Sequence, residues 1–388
     1  ELATYRETDG LMARVVELQD IFDEFANGSP DPNAIREFLR FANQSWTTSP
    51  RFVVLVGKGS FDYREILGPA INLLPPIMAL THAGMASSDT KYADFLGDDG
   101  VPDVAIGRLP VTSGAELSAI VRQIIDHEAA FDAVGNGITL FADAPDPQAD
   151  FAAIQDDIAA QLPSIWEPTS VYRSEFEDVE AMRAAFFDAV RRSPRVVNYF
   201  GHSAMTTLGK NETLFGVADL ETMTIDETQP IFATMTCSAS RFAVPGVVSL
   251  GEALLVDEEA AIAVWGPSGI SVNEYAAILS SAFLDELNAG IETRIGPVIN
   301  RTFGELKGME NGRDMIEIYH LFGDPALRVA KGAAPPDGAG NDGGGPQPPI
   351  DQLTEGGCSV GWTNSNTAGA TLLLIGLALL IRRRRHGH

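Results

Sequence analysis

The chain is expected to be an α/β protein with a mostly parallel sheet flanked by helices on both faces. Three observations predict this. Short apolar runs that end at Gly or a polar turn alternate with stretches of helical period. Two of those stretches open on capping boxes, Ser113-Gly114-Ala115-Glu116 and Ser249-Leu250-Gly251-Glu252. At 388 residues, 45% hydrophobic and 21% charged, the chain is long enough to bury one large core or two smaller ones.

Residues 11–45 read as two helices around a turn. Leu11, Val15, Leu18, Phe22 and Phe25 have helical spacing, Gly28-Ser29-Pro30-Asp31-Pro32 interrupts them, and Ile35, Phe38 and Leu39 restart the pattern. Phe52-Val53-Val54-Leu55-Val56-Gly57 is a continuous apolar run, as expected of a strand buried on both faces, and Val104-Ala105-Ile106-Gly107 is another. A helix then runs from Ser113 to about Phe131. After it come a strand at 138–142, a helix at 149–161, a short strand near 168–172 and a helix at 177–192. Strands at 195–200, 230–235 and 260–265 follow, and helices at 273–289, 296–307 and 313–320 close the body. No internal repeat is visible.

Composition excludes several classes. The formal charge is −26, which argues against nucleic acid as a partner, since phosphate binding needs a basic face. Two cysteines rule out a disulfide scaffold and a Cys-cluster metal site. Residue 1 is Glu with no basic-then-apolar leader, which reads as a piece of a longer precursor.

The C-terminal region is distinctive. Residues 332–355 form a Gly/Pro-rich linker. Residues 356–381 carry no charge and end at Arg382-Arg383-Arg384-Arg385. From Val360 the segment just reaches the roughly 20 residues a bilayer core requires, and the arginines would stay cytoplasmic. A membrane span is therefore expected, with the body outside the cytoplasm. The charge divides accordingly: residues 1–381 carry −30 and the four arginines +4, giving −26.

Chemistry is expected beyond the carboxyl ends of the strands. Strand 195–200 runs into Gly201-His202-Ser203, and strand 230–235 runs into Thr236-Cys237-Ser238. If the two strands are neighbours, imidazole and thiol emerge at one edge, where the pair can act as base and nucleophile. The backbone N–H groups of Ser203 and Cys237 are candidates for holding an oxyanion. Asp94, Asp98, Asp99 and Asp103 form an acidic loop whose oxygens, Asp98 and Asp99 above all, suit Ca²⁺, although the spacing is not that of an EF-hand. Gly57-Lys58-Gly59-Ser60 lacks phosphate-loop spacing. His82, His127 and His320 have no ligand-like spacing, and Glu252 reads as the second half of its capping box.

Tyr199-Phe200-Gly201-His202-Ser203 and Thr234-Met235-Thr236-Cys237-Ser238 resemble the His and Cys blocks of the gingipain-type cysteine peptidases. The similarity continues in Asp31-Pro32, Leu55-Val56-Gly57-Lys58-Gly59-Ser60-Phe61-Asp62-Tyr63-Arg64 and Ser88-Asp89-Thr90. It extends to Pro102-Asp103-Val104-Ala105-Ile106-Gly107-Arg108-Leu109-Pro110, Ser249-Leu250-Gly251-Glu252 and Phe322-Gly323-Asp324-Pro325. The resemblance implies a caspase-like fold and a peptidase acting on proteins or peptides. It implies Cys237 as nucleophile, His202 as general base and acid, and Asp103 as the carboxylate orienting the imidazole. No cofactor is required, though related peptidases bind calcium and prefer a basic residue before the scissile bond. In the family Gly usually follows the His; Ser203 stands there instead, and it would be strained if the position needs positive φ.

The tail, with Gly356-Gly357-Cys358 before the apolar segment, resembles a myxobacterial-type sorting tail, which implies processing at Cys358 by a sorting peptidase. The expected organisation is a helical segment at 1–48, a first α/β subdomain at 49–135, a catalytic α/β subdomain at 136–331, the linker at 332–355 and the tail at 356–388. Two other readings share these residues: a sortase-like transpeptidase using the same dyad, and a catalytically silent surface domain, motivated by Ser203.

Overall fold

The computed structural model describes residues 1–68, 71–330 and 371–376. The strands among them are β1 Met12–Glu17, β2 Pro50–Val56, β3 Ile77–Thr81, β4 Gly84–Ser88, β5 Ala105–Leu109, β6 Gly137–Ala142, β7 Glu167–Tyr172, β8 Val196–Phe200, β9 Thr207–Leu208, β10 Phe215–Gly216, β11 Ile231–Met235, β12 Ala263–Pro267, β13 Tyr319–Phe322 and β14 Thr371–Gly376. The helices are α1 Leu2–Thr8, α2 Leu18–Ala26, α3 Pro32–Ser45, α4 Thr90–Ala93, α5 Gly114–Ala129, α6 Phe151–Gln161, α7 Val179–Arg191, α8 Leu250–Val256, α9 Asn273–Ala289, α10 Ile295–Gly304 and α11 Gly312–Ile318.

Ten strands form one continuous sheet in the order β1-β14-β2-β5-β13-β12-β11-β8-β6-β7. Every neighbouring pair is parallel except β12 with β13. That seam reverses half of the sheet. The starts of β13, β5 and β2 therefore share an edge with the ends of β12, β11, β8 and β6. The apolar runs are strands because both of their faces are covered. In β2, Val53 and Leu55 pack with Ile35, Phe38 and Leu39 of α3, while Phe52 and Val54 join the larger core on the opposite face. Local chemistry sets the helix starts. Asp31, Asp150 and Asp178 each accept a backbone N–H of the first turn of α3, α6 and α7. The Ser249–Glu252 capping box forms in full at α8.

Two segments that carry the family resemblance meet inside the core. Arg108 of β5 donates from both Nε and Nη2 to the Asp89 carboxylate, at 2.7 Å each, with Arg108 fully buried. Although burial alone would raise it, the Arg108 guanidinium holds Asp89 well below the usual carboxylate range. Gly107 lies beside this pair for steric reasons, because a Cβ there would sit 2.5 Å from the Gly323 carbonyl. The glycine, arginine and aspartate of those blocks thus serve the core.

Three expectations need correction. Residues 12–17 form a strand rather than the first turns of a helix. Val15 is 64% exposed, so the stripe that suggested a helix is not a buried face. Residues 319–322 form a short strand instead of the end of a helix, and it is this strand that introduces the antiparallel pair. Of the expected membrane tail, only Thr371–Gly376 lies within the described residues, and it is a strand hydrogen-bonded between β1 and β2. The four large apolar residues Leu372–Ile375 satisfy a strand buried on both faces as well as part of a span. Among the described residues no helix is long and apolar enough to cross a membrane. The linker, Cys358 and the four arginines lie outside the described residues.

His127 of α5 offers a test of the core. Its ring is buried, Nδ1 has no hydrogen-bond partner, and burial pushes its pKa down from the ordinary 6.5 to about 4. Between those values the unfolded chain binds a proton that the folded chain refuses. Stability from this site is complete above pH 6.5 and is lost as the pH falls toward 4, by at most about 3 kcal/mol. Urea unfolding at pH 7 and pH 5 should show this slope, and His127→Leu should flatten it. An unchanged slope in the variant would refute the assignment.

Candidate active site

The register of β8 and β11 builds the site. Phe200 pairs with Met235, so His202 and Cys237 each lie two residues past one rung of the same parallel ladder. They leave the sheet at one edge, one interstrand spacing of roughly 4.8 Å apart. On the other side of β8 lies β6, where Ala142 pairs with Phe200, and the chain continues into Asp143 and Asp146. Three adjacent strands, β6, β8 and β11, therefore deliver carboxylate, imidazole and thiol in that order.

The imidazole is tightly held. His202 Nε2 lies 2.8 Å from Asp146 Oδ2, which also accepts from Lys210 Nζ at 2.9 Å. Phe151 meets the ring edge-on, with centroids 5.2 Å apart. Behind the ring, Tyr199 donates its hydroxyl to the His202 carbonyl at 2.6 Å, and Asp143 accepts the His202 backbone N–H at 3.3 Å. Burial pushes the Asp143 carboxyl up. Lys210 first, then the Gln148 N–H and His202, hold Asp146 well below the usual carboxylate range. Only glycine fits at 201. A Cβ there would lie 2.4 Å from the Asp143 Cβ and 2.6 Å from the Tyr199 hydroxyl oxygen. With Nε2 committed to Asp146, Nδ1 is the nitrogen left for proton exchange with substrate or thiol.

Cys237 is partly buried and free of any disulfide. Its Sγ lies 3.9 Å from the Ser271 carbonyl, and burial pushes the thiol pKa up. A pKa raised by burial favours the protonated thiol over the thiolate at Cys237. Alkylation of Cys237 by iodoacetamide should keep accelerating as the pH passes about 8.5. A rate already constant below pH 7 would mean a preformed thiolate and contradict this.

Among the described residues, the backbone N–H groups of Ser203 and Cys237 donate to no protein acceptor. Both remain available for an oxyanion. Ser203 is not strained, since it is absent from the residues with positive φ, whereas Ser238, next to the thiol, has φ 55°. The expected cost at position 203 does not arise. Ser203 instead donates its hydroxyl to the Cys237 carbonyl.

Asp103 needs correction as the orienting carboxylate. It accepts the N–H groups of Phe95 and Leu96 at 2.8 and 2.7 Å, closing its own loop. It precedes β5, which lies four strands from β8, a span of about 19 Å at the usual strand spacing. Asp146 is the residue that was missed. The available clue was that Asp143 and Asp146 follow an apolar strand just as His202 and Cys237 do. In the acidic loop, Asp98 pairs with Arg313 at 2.8 Å and Asp99 with Lys307 at 2.7 Å. Among the described residues no group of three or more His, Cys, Asp or Glu is placed to hold a metal ion.

Comparison with known proteins gives the family and the fold. The family model of peptidase family C25 matches residues 1–330. Gingipain R2 of Porphyromonas gingivalis is 24% identical over 353 residues, covering 85% of this chain and 44% of its own length. Gingipain R1 of the same organism is also 24% identical over 353 residues, covering 85% of this chain and 32% of its own length. The chain thus spans less than half the length of these curated relatives. Among solved structures, the Arg specific cysteine proteinase gingipain R (RgpB) superimposes with a TM-score of 0.62 at 18% identity, over 82% of this chain and 78% of that one. The complex of Porphyromonas gingivalis RgpB pro- and mature domains gives 0.61 at 19% identity, over 79% and 72%. At these identities the structural likeness speaks for the fold: a mixed α/β architecture around a large, mostly parallel sheet.

Proposed function

The chain belongs to peptidase family C25, and from that premise we propose that it is a cysteine endopeptidase working through Cys237 and His202. The observation that carries the reading is the shared register of the two residues at the ends of β8 and β11. As Cys237 Sγ attacks a peptide carbonyl carbon, His202 accepts the thiol proton. The carbonyl oxygen takes up negative charge between the N–H groups of Ser203 and Cys237. Asp146, ionised and on Nε2, stabilises the imidazolium and fixes the ring. His202 then returns the proton to the departing amine. Water, deprotonated by the same imidazole, attacks the thioester carbonyl, releasing the acyl group as a carboxylic acid and restoring the thiol.

Proteins or peptides are the proposed substrates. Peptides with Arg before the scissile bond are the first to try, given the specificity stated for the RgpB relative. Action outside the cytoplasm, with processing near Cys358 by a sorting peptidase, belongs to the same proposal and is supported by the Gly-Gly-Cys sequence, the spacer before it and the arginine cluster after it. Nothing at the site favours transfer to an amine over hydrolysis, and unstrained backbone at Ser203 removes the reason for a silent domain.

Digestion of a peptide library, with a peptidyl ketone probe mapped by mass spectrometry, tests the reading. Cleavage together with probe attached at Cys237 is the expected result. An intact library and an unlabelled Cys237 would overturn it. Intact-mass analysis of protein from the native cell tests the tail, where an end near Cys358 is expected and an unprocessed terminus would refute processing.

A further inference from the structure

The hydrogen-bond ladder that aligns the two reactive residues stops just short of them. The Phe200–Met235 pair closes it, and the Gly201 N–H to Met235 carbonyl contact, at 3.4 Å, is its last rung. Beyond that point the sheet no longer fixes how His202 and Cys237 face each other.

The loop carrying His202 is rigid in its own right. The Ala204 N–H meets the Thr207 carbonyl at 2.9 Å and the Gly209 N–H meets the His202 carbonyl at 2.8 Å, making a small hairpin that Tyr199 ties down. The Cys237 loop is different. Ser238 sits at φ 55°, a left-handed conformation that costs a non-glycine residue roughly 1 kcal/mol or more and persists only when its surroundings over-determine it. Two contacts do so. The Ser238 N–H donates to the Gly269 carbonyl at 2.8 Å, and the carbonyl of the same peptide unit, that of Cys237, accepts the Ser203 hydroxyl. The peptide plane between Cys237 and Ser238 is pinned at both ends, one end by the His202 loop.

We propose that Ser203 is a positioning residue: its hydroxyl bolts the His202 loop to the Cys237–Ser238 peptide plane, so that imidazole, thiol and the two oxyanion N–H groups converge on one carbonyl. The proposal rests on the peptidase reading and specifies how this chain meets that reading's geometric demands. Neither glycine nor alanine at 203 could make the bond, because neither carries a hydroxyl. Threonine could.

The test compares Ser203→Ala, Ser203→Gly and Ser203→Thr with the unaltered chain. Hydrogen exchange over residues 236–242 reads the clamp without reference to cleavage. In the Ala and Gly variants it should accelerate about 10-fold or more, and in Thr it should stay near the original rate. On a cleaved peptide, kcat should fall about 10- to 100-fold in Ala and Gly with KM little changed, as expected for misplaced reacting groups. Threonine should restore most of it. Labelling by the peptidyl ketone should slow alongside kcat. Unchanged exchange in Ser203→Ala overturns the proposal, as does a Thr variant as impaired as Ala. Failure of the unaltered chain to cleave anything would overturn the peptidase reading instead, and the exchange data would still decide whether Ser203 holds the loop.

Discussion

Cys237→Ala is expected to lower peptide cleavage by at least about 10⁴-fold while leaving the melting temperature within a few degrees. The asymmetry follows from what the thiol touches. Its Sγ has the Ser271 carbonyl as a distant neighbour and supports neither ladder nor core, so its removal deletes chemistry and almost no packing. His202→Ala should fall nearly as far, because without the imidazole a thiol raised by burial has no group to take its proton. Steady-state kinetics on one good substrate, beside thermal unfolding of the same preparations, measures both. Substantial cleavage by Cys237→Ala would remove the proposed mechanism outright.

The second large effect separates two carboxylates that the sequence alone could not rank. Asp146→Asn should reduce kcat about 10²-fold or more, since an amide keeps the size of the group but cannot stabilise an imidazolium 2.8 Å away. Asp146 is held below the ordinary carboxylate range, so it stays ionised as the pH drops through 4, and the acid limb of the rate profile should not belong to it. Asp103→Ala should do the opposite: lose about 0.5–1.5 kcal/mol of stability as the N–H groups of Phe95 and Leu96 exchange their acceptor for water, with kcat unchanged. Chemical denaturation and kinetics on the two variants should cross over. If Asp103→Ala proves catalytically dead while folded, the geometry described above is wrong.

What the sequence disclosed and what it hid have physical reasons. β2, β8 and β11 are legible because strands buried on both faces must be apolar throughout. The thiol and imidazole are legible because both directly follow such runs. Asp146 was hidden because nothing local announces which strands become neighbours, and its partner lies 56 positions further along the chain. β1 was hidden because Leu11, Val15 and Leu18 satisfy helical spacing by coincidence, while pairing with a strand from the far end of the chain decides the matter. The direction of β13 is likewise a tertiary fact, carried by four residues that follow a helix without a turn residue between them. Ser203 looked like a defect, and only the position of the Cys237 carbonyl shows its use.

The place of β14 has a consequence for the life of the chain. β1 and β2 are hydrogen-bonded to it on either side, so an early part of the polypeptide finds its neighbour only after synthesis has passed residue 376. Contacts of such long range close slowly, and until then two apolar strand edges stay open to other chains. A cut near Cys358 would bring a second change. Thr371–Gly376 would turn from an intramolecular strand into a bound peptide, held by mass action instead of by tether. From that moment the stability of this side of the sheet would depend on dilution.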